Sequence, residues 1–310
     1  MKSESYTSAG HDSTIGALLG DDIRSDLVMA EVKNRKVAGL SLNHCDVQDD
    51  WIFVALKGGK EHGLNYLSQV AQHKPAAILL DETEYDLANE FDIHQQGASA
   101  TLYYKDTPVI MVGDLRGSLD SLGSRFYDQQ DLQWLGVTGT NGKSSIAHML
   151  GQSLNNLGHK AAVVGGVYNG FSNTRNEEAP LTTPDILTLM RYGSDFKRQG
   201  AEYVALECSS HALSQNRTKG LNLVCGVFTN LSMDHADYHK SIEDYEMSKY
   251  RLFEYPSLEY AVINCADPVG AKWYKKLRTE KKCLSYGNHQ ADIFAEDVVT
   301  YDKNSDSGSF

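Results

Sequence analysis

No apolar stretch in this 310-residue chain approaches the length of a membrane span. The N-terminus also lacks the apolar h-region of a signal peptide. Positive charge is scarce: 29 Lys and Arg stand against 41 Asp and Glu, a net charge of −12. That balance excludes a general binder of nucleic acid or of anionic membranes. Any phosphate site must therefore be a local concentration of Lys, Arg and backbone amides. The five cysteines are an odd number with no C-x-x-C spacing. Cys208, Cys225 and Cys265 sit in or beside apolar, strand-like runs, which reads as buried free thiols in a reducing cytosol. Internal repeats and low-complexity tracts are missing too. What remains is an ordinary globular composition, 41% hydrophobic and 23% charged, long enough for two domains.

The most informative stretch is Leu135-Gly136-Val137-Thr138-Gly139-Thr140-Asn141-Gly142-Lys143-Ser144-Ser145. The apolar run Leu132 to Val137 reads as a short buried strand. It breaks into a loop whose glycines at 139 and 142 let backbone amides approach an anion with no Cβ in the way. A helix follows, with Ile146, Met149, Leu150, Ser153, Leu154 and Leu157 at one-face spacing. Strand, glycine loop, Lys-Ser and helix make a phosphate cradle: loop amides and helix N-terminus meet the anion, Lys143 reaches the β/γ-phosphates, and Ser144 offers its hydroxyl to Mg²⁺. The strict pattern G-x-x-x-x-G-K-[ST] is missed, because position 137 is valine and Gly136 lies one residue early. The competing reading is a tight strand-to-helix turn that happens to contain Lys-Ser.

Elsewhere, apolar runs predict strands at Val37–Leu42, Trp51–Leu56, Ala76–Leu80, Val109–Val112, Ala161–Val164, Tyr203–Leu206, Leu223–Phe228 and Tyr260–Ile263. Helices are expected near Ile15–Leu19, Asn65–His73 and Leu119–Phe126, and after Pro184, the last closed by Gly200. Tyr168 to Thr183 reads as a polar, glycine-containing segment. Strands alternating with helices predict α/β architecture with mostly parallel sheet covered on both faces. The polar stretch Tyr127–Asp131 marks a boundary, giving a domain over 1–130 and another over 131–310. Val298–Tyr301 is strand-like and Asp302–Gly308 turn-rich. Phe310 would begin a returning strand, which predicts a domain cut short, with a disordered tail as the other reading.

Three further clusters could carry chemistry. Glu207-Cys208-Ser209-Ser210-His211 follows a strand, and ligands of open α/β sheets sit at strand carboxyl ends, so Glu207 is placed to hold a metal near the phosphates. Thr229 to His239 follows the next strand. His235 and His239 have the i, i+4 spacing of a zinc helix but lack the glutamate of a metallopeptidase, so one histidine beside Glu207 helping to hold Mg²⁺ or Mn²⁺ fits better. No Ser/His pair comes with nucleophile-elbow glycines, which argues against a hydrolase triad. Finally, Ser241 can cap a helix on which Ile242, Tyr245, Lys249 and Leu252 share a face. Lys249 is then either a snorkelling stem or an amine whose pKa burial lowers, freeing it for chemistry.

Taken together these stretches resemble the Mur ligases, the ATP-dependent amide-forming enzymes of peptidoglycan precursor synthesis, and among them the ligases that add the third peptide residue. The carrying segments are 136–145, Thr182-Thr183, Glu207 to Arg217, Phe228 to His239, Ser248 to Phe253 and Ile263 to Asp267. The resemblance implies an N-terminal α/β UDP-binding domain and a phosphate-loop central domain. It implies that Gly139, Thr140, Asn141, Gly142, Lys143, Ser144 and Ser145 bind ATP, and that Ser144, Glu207, His235 and a carbamylated Lys249 help hold magnesium. It makes Leu42, His44, Gly59, Lys60, Glu61, Thr182, Thr183, Ser209, Gln215 and Arg217 contacts of the UDP-muramoyl-peptide. The family's Asp-Ser-Arg or Asn-Ser-Arg at the uridine site is Asn43-His44-Cys45 here, which removes polar partners for the nucleotide. By the same comparison the end of the central domain and the C-terminal domain that selects the incoming amino acid are absent.

The expected function is therefore an ATP-dependent, cytoplasmic amide ligase. It would join meso-diaminopimelate or L-lysine to UDP-MurNAc-L-Ala-D-Glu through an acyl phosphate. Its partners would be small molecules, with no nucleic acid and no membrane insertion. The alternatives are a non-catalytic nucleotide or UDP-sugar binding module, and a folylpolyglutamate-type ligase.

Overall fold

Apolar runs of three to six residues build the strands of two separate sheets. The computed structural model describes residues 13–20, 28–58, 61–84, 91–96, 99–171, 174–177, 181–232 and 238–296. Its contacts divide the chain into two units. The first contains 1–131, 184–200 and 216–221; the second contains 132–183, 201–215 and 222–310.

In the first unit the strands are β1 (Gly39–Ser41), β2 (Trp51–Ala55), β3 (Ala77–Asp81), β4 (Asp92–Gln96), β5 (Ser99–Tyr104) and β6 (Thr107–Val112). Their spatial order is β1-β2-β3-β6-β5-β4. The first four in that order run parallel, and β5 and β4 add an antiparallel edge. The helices are α1 (Ile15–Leu19), α2 (Ala30–Lys33), the short α3 (Leu67–Val70) and α4 (Leu119–Phe126). Trp51, Phe53, Ile78, Leu80 and Val109 form the core with Leu67 and Val70. Each such side chain contributes about 1.5–3 kcal/mol when fully buried. The antiparallel β4–β5 pair had no signal in the sequence.

The second unit holds β7 (Gln133–Thr138), α5 (Lys143–Asn156), β8 (Ala161–Val164), β9 (Asn169–Phe171) and β10 (Thr174–Glu177). Next comes α6 (Ile186–Arg198), whose residues belong to the first unit. The second unit resumes with β11 (Tyr203–Glu207), α7 (Ser210–Ser214), β12 (Leu223–Phe228), α8 (Ile242–Tyr250), β13 (Tyr260–Asn264), α9 (Pro268–Leu277) and β14 (Lys282–Tyr286). The order is β10-β9-β8-β11-β7-β12-β13-β14. It is parallel from β8 to β14, with β9 and β10 as an antiparallel edge. The α/β class holds in both units, with mostly parallel sheet in each.

Several local expectations need correction. On α5 the face toward the sheet is Ala147 and Gly151, flanked by Ile146 and Leu150, whereas Met149 and Leu157 are 60% and 76% exposed and Ser153 is exposed. Small side chains let the helix approach β8 so closely that a Cβ on Gly151 would lie 2.5 Å from Val163 Cγ2. The large apolar residues are left outside that contact. Helix α6 is opened by Asp185, whose carboxylate accepts from the Leu187 and Thr188 N–H groups, with Pro184 preceding the cap. The polar segment Tyr168–Thr183 contains the β9–β10 hairpin. The expectations for Val298–Tyr301 and Phe310 fall outside the described residues. No described helix is long and apolar enough to cross a membrane.

Two outcomes are expected. Gly151→Val gains about 0.5 kcal/mol of helix propensity at most but overpacks a stiff Val163 contact. The net loss should be about 1–3 kcal/mol, read as a lower midpoint in urea; an unchanged midpoint would contradict this packing. Burial pushes the Cys208 thiol up to about 12, while Cys45 is exposed. Only the thiolate reacts. A disulfide reagent at neutral to mildly basic pH, read by mass spectrometry, should therefore label Cys45 in native protein and spare Cys208 until denaturant is added.

Candidate active site: a glycine loop at converging strand ends

The strands β11, β7, β12 and β13 are adjacent and parallel, so their carboxyl ends open on one edge. β7 ends at Thr138, and residues 139–142 turn the chain into α5. Val137, at the position where the strict pattern needs glycine, is fully buried in the core. The first backbone freedom is needed two residues later. Gly139 has φ +148° and a Cβ there would overlap Thr229 Oγ, while Gly142 has φ +83° and caps α5. Both conformations favour glycine.

The loop is tied down by the residues after β12. The Thr140 N–H donates to the Asn230 carbonyl at 2.8 Å, and the Asn141 N–H to Asn230 Oδ1 at 3.0 Å. Thr229 Oγ and Asn230 Nδ2 donate to the Asn141 carbonyl at 2.6 and 3.1 Å. Asn264, closing β13, donates from Nδ2 to the Thr229 carbonyl at 2.7 Å. The sequence reading of the Thr229 to His239 cluster rested on its histidines and gave Thr229 and Asn230 no role of their own. Their signal was available, since Thr-Asn stands directly at a strand carboxyl end beside the glycine loop.

Two ammonium groups meet the loop. Lys143 Nζ donates to the carbonyls of Gly139 and Thr140 at 3.0 and 2.8 Å. Lys249 Nζ donates to the same Gly139 carbonyl at 2.7 Å and sits 4.3 Å from the Tyr245 ring centroid. Lys249 is 1% exposed, so the snorkelling alternative fails: the ammonium itself is inside. The stripe on α8 is Tyr245, Lys249 and, beyond it, Leu252, whereas Ile242 is 39% exposed. The expected cap is present, with Ser241 Oγ accepting from the Asp244 N–H. Tyr245 OH lies 3.1 Å from Thr140 Oγ, joining α8 to the loop.

Ser144, in the first turn of α5, donates from Oγ to Glu207 Oε2 at 3.0 Å. Glu207 is 1% exposed. Its Oε1 accepts from the Gly166 N–H at 2.8 Å, and a Cβ on Gly165 would overlap that oxygen. Thr183 Oγ donates to the Glu207 carbonyl at 2.7 Å and lies 3.2 Å from Ser209 Oγ; Thr182 lies against Gly166. Ser209 caps α7. The structure thus brings Lys143, Ser144, Glu207, Lys249, Thr182, Thr183 and Ser209 into one neighbourhood. Ser145 is exposed on the same helix, and Gln215 Nε2 donates to Tyr238 OH.

In the first unit, Leu42 is half-buried after β1. His44 stacks on Tyr66 with ring centroids 3.8 Å apart and accepts contact from Cys45 Sγ at 3.3 Å. Tyr66 bonds to Glu61, whose carboxylate holds the phenol above its ordinary value. The rings therefore supply a flat aromatic plate where the sequence lacks Ser-Arg. Arg217 is half-buried and belongs to the first unit. Gly59, Lys60 and His235 fall outside the described residues. His239 precedes α8 rather than lying on it, and among the described residues no three His, Cys, Asp or Glu side chains cluster as metal ligands.

Chemically, a glycine loop opening a 14-residue helix, with two ammonium groups, suits a polyanion. A carboxylate joined to a hydroxyl beside it supplies the oxygen donors that hard cations prefer.

Residues 137–310 match the family described as the Mur ligase middle domain. A UDP-N-acetylmuramoyl-L-alanyl-D-glutamate–2,6-diaminopimelate ligase of Alkalilimnicola ehrlichii is 35% identical over 278 residues, 88% of this chain and 54% of that protein. The ligase of the same name from Vibrio cholerae is 38% identical over 252 residues, 80% of this chain and 49% of that protein. A solved structure of a ligase with that name superposes with a TM-score of 0.64 at 25% identity, over 88% of this chain and 54% of the other. The chain spans about half the length of the curated relatives it matches. One continuous match takes in the glycine loop, Glu207, the Thr229–Asn230 straps and Lys249, and on it the chain belongs to the Mur ligase family.

Proposed function

We propose that this chain carries the nucleotide-binding and acyl-substrate-binding part of an ATP-dependent amide ligase of peptidoglycan precursor synthesis. The reaction joins an amino acid to UDP-MurNAc-L-Ala-D-Glu. The amino acid is meso-diaminopimelate or L-lysine, and the names of the relatives favour the diaminopimelate. The observation that carries the reading is the Ser144–Glu207 hydrogen bond at the head of α5, beside Lys143. It joins the glycine loop to the neighbouring strand end, where a triphosphate and a second substrate would meet.

Gly139 to Ser145 would receive the phosphates of ATP. Magnesium fits the same place: Ser144 and Glu207 offer oxygen atoms, and the missing Cβ of Gly165 leaves the carboxylate room. His235 is the further ligand implied by the family. When bound, the ion would neutralise charge on the phosphoryl oxygens. Lys143 would do the same from the loop, exchanging its two carbonyl partners for phosphate oxygens. The terminal carboxylate of the acyl substrate then attacks the γ-phosphorus, and ADP leaves. The amine of the third amino acid displaces phosphate from the acyl phosphate through a tetrahedral intermediate, losing a proton. The chain's contribution is chiefly positioning and charge neutralisation. Thr182, Thr183, Ser209, Gln215 and Arg217 would hold the acyl substrate, with Leu42, His44, Gly59, Lys60 and Glu61 at its uridine end. Carbamylation of Lys249 would replace an ammonium by an anion facing the same loop.

The test is equilibrium binding of ATP with magnesium, then phosphate release with UDP-muramoyl-dipeptide and the amino acid. Loss of a charge-assisted hydrogen bond costs about 1.5–3 kcal/mol. Lys143→Ala should accordingly weaken ATP about 10- to 150-fold, and Glu207→Gln should remove the magnesium dependence of binding. Nucleotide affinity that ignores both substitutions would overturn the assignment. Binding of both ligands without phosphate release selects the binding-module alternative, and turnover with folate in place of the UDP-sugar selects the folate ligases.

A further inference from the structure

Helix α7, Ser210–Ser214, is only five residues long, too short to be stable by its own hydrogen bonds. It nevertheless stands between Ser209 and Gln215, both proposed above as contacts of the acyl substrate. Two consecutive residues from before α8 hold it along its length. At its start, Ser210 Oγ and His239 Nε2 are 3.0 Å apart, and His239 Nδ1 is 3.4 Å from Asp244 Oδ2. At its end, Gln215 Nε2 donates to Tyr238 OH at 3.1 Å, and that hydroxyl lies 3.0 Å from Ser214 Oγ. Between the two, the Tyr238 ring covers His211 with centroids 3.9 Å apart.

The direction of these bonds follows from the partners. The Lys240 N–H donates to Asp244 and holds its carboxyl below its ordinary value, so Asp244 is ionised and only accepts. His239 Nδ1 faces that carboxylate, and Nε2 faces the Ser210 hydroxyl. Ser214 Oγ donates to the His211 carbonyl at 2.9 Å, so it accepts from Tyr238. Ser210, His239 and Asp244 thus stand in one line of polar contacts. The His239 side chain is 3% exposed and Ser210 is 2% exposed, so water is kept from that bond, while the Asp244 side chain is 52% exposed. The three residues stand in the spatial order Ser-His-Asp, which the sequence did not reveal because it pairs Ser210 with His239 and not with its neighbour His211. With the serine buried, its consequence is rigidity rather than nucleophilic attack.

We propose that Tyr238 and His239 form a clamp that fixes α7, and that His239 is a positioning residue which sets the acyl-substrate contacts Ser209 and Gln215 without touching the nucleotide loop. The ligand it serves is a peptide-bearing carboxylate, a reading that rests on the function proposed above. Thr183 holds the Glu207–Ser209 turn from one side; His239 holds the following residue from the other.

The test has two arms on the same chain. In the first, hydrogen–deuterium exchange without ligand should show peptides over 210–215 exchanging at least about tenfold faster in His239→Ala, with α5 and β12 unchanged. His239→Gln, whose amide reaches as far as Nε2, should restore protection, and His239→Asn, which reaches only Nδ1, should not. In the second arm, affinity for UDP-muramoyl-dipeptide should fall at least about tenfold in His239→Ala while ATP affinity stays within about twofold. Unchanged exchange over 210–215, or acceleration spread over the whole unit, would overturn the clamp. Equal losses for both ligands would overturn the positioning role. A wild-type chain that binds ATP but no UDP-muramoyl-dipeptide would sink the substrate assignment instead, and the exchange arm would still decide the clamp.

Discussion

The carbonyl oxygen of Gly139 receives hydrogen bonds from two ammonium groups, Lys143 and Lys249, and the site is arranged around that shared acceptor. One lysine comes from α5, the helix the loop opens, and the other from α8, roughly a hundred residues later in the chain. Concentrating two cations on one oxygen requires compensation. Part comes from the Thr140 carbonyl under Lys143 and part from the Tyr245 ring under Lys249, a contact of about 0.5–2 kcal/mol. In a chain of net charge −12, this is the local concentration of positive charge that a phosphate site demands.

Such a loop must be held open without being frozen. Ordering a residue costs about 1–2 kcal/mol in backbone entropy, and glycine stands at the upper end. Against that stand the four hydrogen bonds between the loop and Thr229 and Asn230, two donated by each side, each worth about 0.5–1.5 kcal/mol net. The terms nearly balance over the four loop residues, so the straps define the loop's shape without deeply stabilising it. A parallel sheet makes this economical. Adjacent parallel strands all deliver their carboxyl ends to one edge, so the loop after β7, Glu207 after β11, Thr229 after β12 and Asn264 after β13 meet there with no long excursions.

How legible this was depended on the kind of information involved. Apolar runs such as Ala161–Val164 and Leu223–Phe228 marked strands within a residue of where they lie, because a strand buried on both faces is continuously apolar. The glycine loop and the Ser241 cap were legible because local backbone chemistry dictates them. Counting large apolar residues misread α5, since Ala147 and Gly151 make the contact and Met149 and Leu157 are left outside it. The β9–β10 hairpin was missed because Tyr168–Thr183 is polar and shows no alternation. Glu207 was placed correctly at a strand end, but nothing local specified that Ser144 would be its partner. That pairing, like the Ser210–His239 bond, exists only once distant segments meet.

Lys249 shows where a stability argument stops and a functional one must begin. A side chain at 1% exposure could be leucine or methionine and pack as well, with no charge to desolvate. Burying an ion in a protein interior costs several kcal/mol after relaxation. Against that cost stand the hydrogen bond to the Gly139 carbonyl, worth about 1.5–3 kcal/mol as a bond to a charged group, and the contact with the Tyr245 ring. The lysine places its nitrogen beside the Gly139 carbonyl, on a helix that Tyr245 ties to Thr140 and that Asp244 ties, through His239, to the turn after Glu207. The lysine is thus coupled at one end to the glycine loop and at the other to the strand end that carries Glu207, so a shift at either place is felt at its nitrogen.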